Sequence, residues 1–110
     1  MIAEDFVVVL VTTPSAEDGA RIGRTLVEER LAACANVVGP IRSIYRWQGA
    51  VEDASEHLLL IKARAADVDA LTTRVRALHG YDVPEVIALS VRGGSAAYLA
   101  WLAESTDRGS

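Results

Sequence analysis

A long β-rich segment in the first half of the chain constrains the fold more than any other feature. It reads "ACANVVGPIRSIYRWQGAVE" (33–52), is interrupted at Gly39-Pro40, and turns at Gln48-Gly49 before it returns toward "HLLLIKA" (57–63). Two strand-like runs joined by a tight turn predict a hairpin, and Gly39-Pro40 predicts a bulge or kink in its first strand. Such a hairpin is too long for a small sheet to cover. Its exposed edge and apolar residues therefore favour packing on another subunit.

The flanking segments predict two further strands and two capped helices. "FVVVLVTT" (6–13) is a continuous β-branched run, typical of a strand buried on both faces, and "PEVIALSV" (84–91) is a second strand. Ser15, with Asp18 three residues later, resembles a capping box and predicts a helix start. Ser95 is expected to cap a short helix, "AAYLAWLAE", near the end of the chain.

A further helix lies between these strands. Its apolar face has the helical spacing of Val68, Leu71, Val75 and Leu78. We expect His79 in its last turn and Gly80 at the usual C′ position. The order βαββαβ plus a terminal helix predicts one α+β domain over residues 1–110, a ferredoxin-like two-layer sandwich with a long hairpin between its second and third strands. Two helices cover one sheet face, so the other is bare unless a partner covers it.

The composition excludes several classes of function. The net charge is -4, Lys62 is the only lysine, and the arginines are scattered among acids, which argues against a nucleic-acid partner. The N-terminal segment has no basic leader and its apolar run is too short to span a bilayer, so we expect a cytoplasmic protein without a membrane partner. The single cysteine, Cys34, suits a reducing compartment. One Cys and two His cannot form a four-ligand Cys/His zinc site in one chain.

Five segments together resemble a known family over nearly the whole chain. "LVEERLAACANVV", "SIYRWQGAVE", "LLLIKA", "HGYDVPEVIAL" and "YLAWL" are similar, in order and spacing, to signature segments of the CutA family of divalent-cation tolerance proteins. The resemblance implies a ferredoxin-like subunit and a homotrimer joined through its hairpins and sheet edges. It also implies a likeness to the trimeric PII signalling proteins and a link to tolerance of copper and other divalent metals. Some members of the family bind copper, and no reaction is firmly attached to it.

The resemblance also bears on the metal site. In some bacterial members the proposed copper ligands are a cysteine at the end of the first strand and two adjacent histidines before a proline. Here Val11, the pair Leu78-His79, and Gly80 occupy those positions, so only His79 remains. We predict weak binding of copper or another divalent cation at intersubunit clefts by His79 and Glu85. The alternatives are that His79 only interacts with a helix dipole and that Glu85 is a solvated strand-end acid.

Other residues are candidates for a cleft or an interface. The cleft candidates are Cys34, Trp47, Glu52, Lys62, Tyr81 and Tyr98, and the interface candidates are Ile41, Ile44, Tyr45, Trp47 and Trp101. Glu52 is included because the resemblance implies an acid that faces a cleft between subunits, and the alternative is a solvated acid. Trp and Tyr bury much area while keeping a polar group, so an interface core is favoured for the aromatic residues, and a pocket between subunits is compatible with it. For Cys34 a role as a small packed hydrophobe is favoured over metal or redox chemistry. Lys62 either binds an anion, pairs with an acid across the interface, or extends along the strand end to water.

Three functions remain open from the sequence. The first is a trimeric metal-responsive protein, and the second is a PII-like regulator or adaptor that binds a small molecule or a partner protein. The third is an enzyme that uses His79 and Glu85 as an acid-base pair. The sequence has no G-x-S-x-G, Walker or H-E-x-x-H motif, so we predict that the protein is not an enzyme.

Overall fold

The chain folds into four strands and three helices in the predicted order, which confirms the α+β fold. The computed structural model describes residues 2–109. Single 3₁₀ turns precede the first strand and the second helix. The main elements are β1 (Phe6–Thr13), α1 (Ala16–Glu28), β2 (Cys34–Trp47), β3 (Ala50–Arg64), α2 (Val68–Leu78), β4 (Ile87–Ser90) and α3 (Ala96–Ser105). No helix in this part of the chain is long and apolar enough to cross a membrane.

The four strands form one antiparallel sheet in the order β2-β3-β1-β4. Alternate residues of the two central strands, among them Val9 and Ile61, point toward α1 and α2 and are fully buried there with Ile22 and Leu71. The expectation that residues 6–13 are buried on both faces is therefore wrong for the isolated chain, because the intervening residues of β1 are only half-buried. Helices cover one face of the sheet.

The second face of the sheet is apolar and largely uncovered. By strand alternation and register it presents Val8, Leu10, Leu58, Leu60, Ile87 and Leu89. Ile87 and Leu89 on the edge strand β4 are each 49% exposed. A small cluster of Phe6, Ala33, Leu102 and Ala103 packs α3 beside the start of β1. We refer to the six-residue surface as the open face.

The hairpin of β2 and β3 projects from the sheet, as its length predicts. The chain measures 44 × 25 × 21 Å along its principal axes. Gln48 and Gly49 have φ values of 50° and 83° and join Trp47 to Ala50 in a two-residue turn. The pairing register shifts between Val38 and Ile41, which confirms the irregularity predicted at Gly39-Pro40.

The helix and strand ends show where local signals succeed and where they fail. Ser15 caps α1, and its Oγ accepts a hydrogen bond from the Asp18 N–H at 3.1 Å. His79 lies just beyond α2 rather than in its last turn, with extended backbone, and donates its N–H to Val75 O at 2.8 Å. The last strand begins at Ile87 rather than Pro84, since proline has no N–H to donate to a strand ladder. Residues 80–85, which precede this strand, are not paired in the sheet and lie beside the hairpin.

Candidate functional site

A cleft lies between the hairpin and the segment that joins α2 to β4. Its volume is about 750 Å³, in the range of small-molecule sites. We call it the Tyr81 cleft. It is lined by Thr12, Ser43, Ile44, Tyr45, Trp47, Glu56 and residues 80–85.

His79 is not part of the cleft lining but bonds to two residues that are, Thr12 and Tyr81. The ring Nε2 is 2.7 Å from the carbonyl oxygen of Thr12, and Nδ1 accepts a hydrogen bond from the Tyr81 N–H at 3.1 Å. These partners assign the neutral tautomer with the proton on Nε2, which donates to Thr12. The residue is 9% exposed. Both ring nitrogens are therefore engaged with the backbone, and His79 ties the 80–85 segment to β1.

A buried carboxylate faces the same cleft from β3. Glu56 is 6% exposed and accepts a hydrogen bond from the Tyr81 hydroxyl at 2.7 Å. Burial, followed by the bond to Glu56, raises the pKa of the Tyr81 phenol above its ordinary value. The phenol is therefore a donor, and it keeps the Glu56 carboxylate hydrogen-bonded inside the protein.

Glu85 and Asp82 add two more carboxyl groups to the cleft. Glu85 is half-buried, and burial raises its pKa, with a further contribution from the negative charge of Glu56. Asp82 is exposed on the same loop. The cleft thus gathers three acids from β3 and the 80–85 segment.

The predicted cleft residues divide into two groups. Trp47, Tyr81 and Glu85 line the Tyr81 cleft. Cys34 and Lys62 lie elsewhere on the sheet, where Nζ of Lys62 is 4.0 Å from Sγ of Cys34.

Tyr98 belongs to this second group. Burial, followed by the proximity of Cys34, raises the pKa of the Tyr98 phenol. Its ring packs on Trp101 with centroids 5.4 Å apart. The two groups are separated along β3, because Glu56 in the middle of the strand and Lys62 near its C-terminal end are six residues apart, about 20 Å.

The predicted interface residues lie on exposed surfaces. Ile44 is 65% exposed, and Tyr45 and Trp47 are each 42% exposed on the hairpin. Trp101 is exposed on α3, and Ile41 is half-buried. Glu52 pairs with Tyr45 across the hairpin and does not line the Tyr81 cleft.

Sequence reasoning missed the two cleft acids Glu56 and Asp82. It also missed the other lining residues Thr12, Ser43, Gly80, Val83 and Pro84. A signal for Glu56 was present, because a charged residue precedes the apolar run of β3 with the same alternation as Leu58 and Leu60. Thr12 contributes through its backbone carbonyl, for which the sequence carries no signal. Asp82 is one of many exposed acids and is not distinguished by its type.

The described part of one chain does not group enough donor side chains for a metal centre. Among residues 2–109 no group of three or more His, Cys, Asp or Glu side chains is arranged to hold a metal ion. His79 reaches a metal only if one of its two hydrogen bonds is exchanged for coordination. The assignment of metal to His79 and Glu85 therefore stays a prediction.

The topology and the cleft define a class of protein. A βαββαβ chain whose sheet has the order β2-β3-β1-β4 is a ferredoxin-like α+β protein, and this one has in addition a projecting hairpin and an acidic cleft.

Comparison with known proteins identifies the family. Residues 7–105 match the family model described as "CutA1 divalent ion tolerance protein". The protein named "Divalent-cation tolerance protein CutA" from Thermus thermophilus is 52% identical over 99 residues, which cover 90% of this chain and 96% of that protein. The chain belongs to the CutA1 divalent ion tolerance family.

A curated plant relative and a solved structure agree with this assignment. "Protein CutA 1, chloroplastic" from Oryza sativa is 51% identical over 100 residues, which cover 91% of this chain and 56% of the rice protein, so the chain spans little more than half of that relative. The solved structure of the divalent cation tolerance protein from Thermus thermophilus has a TM-score of 0.90 at 50% identity. The match covers 93% of this chain and 99% of that one.

Proposed function

We propose that the protein is a cytosolic homotrimer of divalent-cation tolerance that binds copper or another divalent ion weakly at clefts between its subunits. The observation that carries this proposal is the acidic Tyr81 cleft beside a projecting apolar hairpin. Carboxylate oxygens attract divalent cations, and the imidazole of His79 contacts the cleft wall through the Tyr81 N–H. No catalysed reaction is proposed, because the family is named for tolerance and none of the cleft-lining residues within 2–109 is Cys, Lys or His.

The trimer is supported by surfaces that an isolated chain leaves in water. Outside the Tyr81 cleft, the open face and the hairpin strands expose Val38, Val51, Ile87 and Leu89, and exposed apolar surfaces on soluble proteins mark association sites. A two-stranded ribbon is marginal in water, so the hairpin gains stability from a partner subunit. A second subunit also brings further donors to a cleft in which one chain has too few for a closed site.

Weak metal binding is supported by the same geometry. When a metal binds a ring nitrogen of His79, the ring loses its hydrogen bond to Thr12 or to Tyr81. Burial raises the pKa of Glu85, so protons compete with the metal ion for this carboxylate.

Isothermal titration of the metal-free protein with Cu(II) tests the metal site. We expect Glu85→Gln to weaken binding about tenfold, the loss that one charged ligand implies. Glu104→Gln removes the same charge from an exposed position on α3 and is the matched control. Equal affinity in wild type, His79→Ala and Glu85→Gln places any copper site elsewhere and contradicts the proposal.

A second candidate function is a PII-like trimeric regulator that binds a small molecule in the same cleft, with no physiological metal. It is favoured by the volume of about 750 Å³ and the aromatic residues Tyr45, Trp47 and Tyr81, because a bare metal ion needs neither. Thermal-shift screening against metals, nucleotides and organic acids separates the two functions. A response to metals alone contradicts this candidate.

Cell fractionation tests the proposed cytosolic location. The rice relative is named as chloroplastic, so location varies within the family. Recovery of the protein in a membrane or secreted fraction contradicts the proposed compartment.

A further inference from the structure

The charge of the Tyr81 cleft has one sign. Glu56, Asp82 and Glu85 contribute carboxyl groups, and none of the residues that line the cleft within residues 2–109 is Lys, Arg or His. The nearby hairpin cation Arg42 is already held by Asp53, with Nε and Nη2 bonds of 2.9 and 2.6 Å. Like charges in a partly desolvated cleft repel one another. The cleft therefore has negative charge that the described residues lining it do not neutralise.

The apolar part of the cleft is aromatic. Tyr45 and Trp47 come from the hairpin, and Tyr81 comes from the opposite wall. All three rings are partly exposed. The face of an aromatic ring attracts an ammonium or guanidinium group, most strongly for Trp, and also packs against hydrocarbon. Acids and aromatic rings on facing walls are complementary to a molecule that is both cationic and apolar.

Two other ligand classes fit the cleft less well. A bare metal ion is not matched by a group of three donors in residues 2–109, and it leaves most of a 750 Å³ volume unfilled. A nucleotide or other anion would place its charge beside three carboxyl groups, and none of the described lining residues is basic, which costs affinity.

We propose that the Tyr81 cleft binds an organic cation, an ammonium or guanidinium group on an apolar body. The cationic group lies between Glu56 and Glu85, and the body packs on Tyr45 and Trp47. Because the Tyr81 hydroxyl uses one oxygen of Glu56, the other oxygen and Glu85 remain to accept bonds from the ligand. This inference deepens the second candidate function and rests on it, since it names the chemical class of the small molecule.

Three probes of one shape and different charge test the proposal. The assembled protein is titrated calorimetrically, in EDTA at neutral pH, with cyclohexylmethylamine, cyclohexylmethanol and cyclohexanecarboxylate. We expect the amine to bind about tenfold more tightly than the alcohol, and the carboxylate to bind most weakly. The affinity of the amine falls as salt is added, because salt screens the attraction.

Variants locate the binding in the cleft. Glu85→Gln is expected to weaken the amine about tenfold and leave the alcohol unchanged, while Glu104→Gln changes neither. Trp47→Leu keeps an apolar wall but removes the ring, so it reduces the preference for amine over alcohol. Sedimentation of each variant verifies that it is assembled as the wild type is.

The outcomes separate this inference from the proposed function. Equal binding of the three probes overturns the organic-cation class and leaves small-molecule binding intact. Tighter binding of the carboxylate overturns it as well. Binding of Cu(II) that depends on Glu85, with no binding of any probe, overturns both the inference and the second candidate and leaves the metal proposal standing.

Discussion

The bond between Tyr81 and Glu56 is the most exacting test of the cleft geometry. Tyr81→Phe removes only the hydroxyl, whose oxygen lies 2.7 Å from Oε2 of Glu56. The ring remains, so little packing is lost. The carboxylate, 6% exposed, then has no hydrogen-bond donor among the described side chains.

The expected cost follows from the charge of the acceptor. A hydrogen bond to a charged group contributes about 1.5–3 kcal/mol, and a buried carboxylate without a partner costs a similar amount. Because the Tyr81 ring is partly exposed and water can approach from its side, we expect about 2 kcal/mol per subunit. Urea unfolding at equal subunit concentration measures the change, since association shifts apparent stability.

A double-mutant cycle isolates this bond. Glu56→Gln keeps an acceptor but removes the charge, so Tyr81→Phe in that background is expected to cost only about 1 kcal/mol. A loss below about 0.5 kcal/mol in wild type, or equal losses in the two backgrounds, refutes the assignment of a charged buried bond.

Three further substitutions test other features of the structure. Glu85→Gln is expected to raise the melting temperature at pH 7 but not near about pH 3. Folding raises the pKa of Glu85, so the ionised carboxylate lowers the stability of the folded state above the folded pKa. This loss of stability disappears once the carboxyl is protonated. Gly23→Ala places a Cβ 2.9 Å from the Cβ of Ala35, so chemical denaturation is expected to show that the free energy of unfolding falls by about 1 kcal/mol. Adding Ala35→Gly is expected to relieve the contact and recover this stability. Gly49→Ala is expected to cost about 1–2 kcal/mol in thermal unfolding, because φ is +83°, whereas Gly93→Ala, in open space without such a φ, costs less than about 0.5 kcal/mol. An unchanged melting temperature in Glu85→Gln at pH 7, an unrescued Gly23 variant or equal effects at the two loop glycines contradicts the respective reasoning.

The elements that sequence predicts well are set by local chemistry. Ser15 caps α1 by accepting a bond from the Asp18 N–H, as the spacing of the two residues indicates, and Gln48-Gly49 forms the tight hairpin turn. These signals involve residues within four positions of each other, so no knowledge of the tertiary fold is needed. The order of elements then leaves few topologies to consider.

The cleft is less predictable because distant residues form it. Glu56 and Tyr81 are 25 positions apart, and Thr12 and His79 are 67 apart. Strand register decides which acid faces which wall, and a shift of one residue reverses every side chain. Position along the strand matters as well as the face. Lys62 follows the same alternation as Glu56 but pairs with Cys34 near the C-terminal end of β3, outside the cleft.

Sedimentation equilibrium at micromolar concentration tests the central claim that three copies complete the open face and the hairpin. The prediction is one species with about three times the subunit mass of 11.8 kDa. A stable, compact species of 11.8 kDa contradicts it.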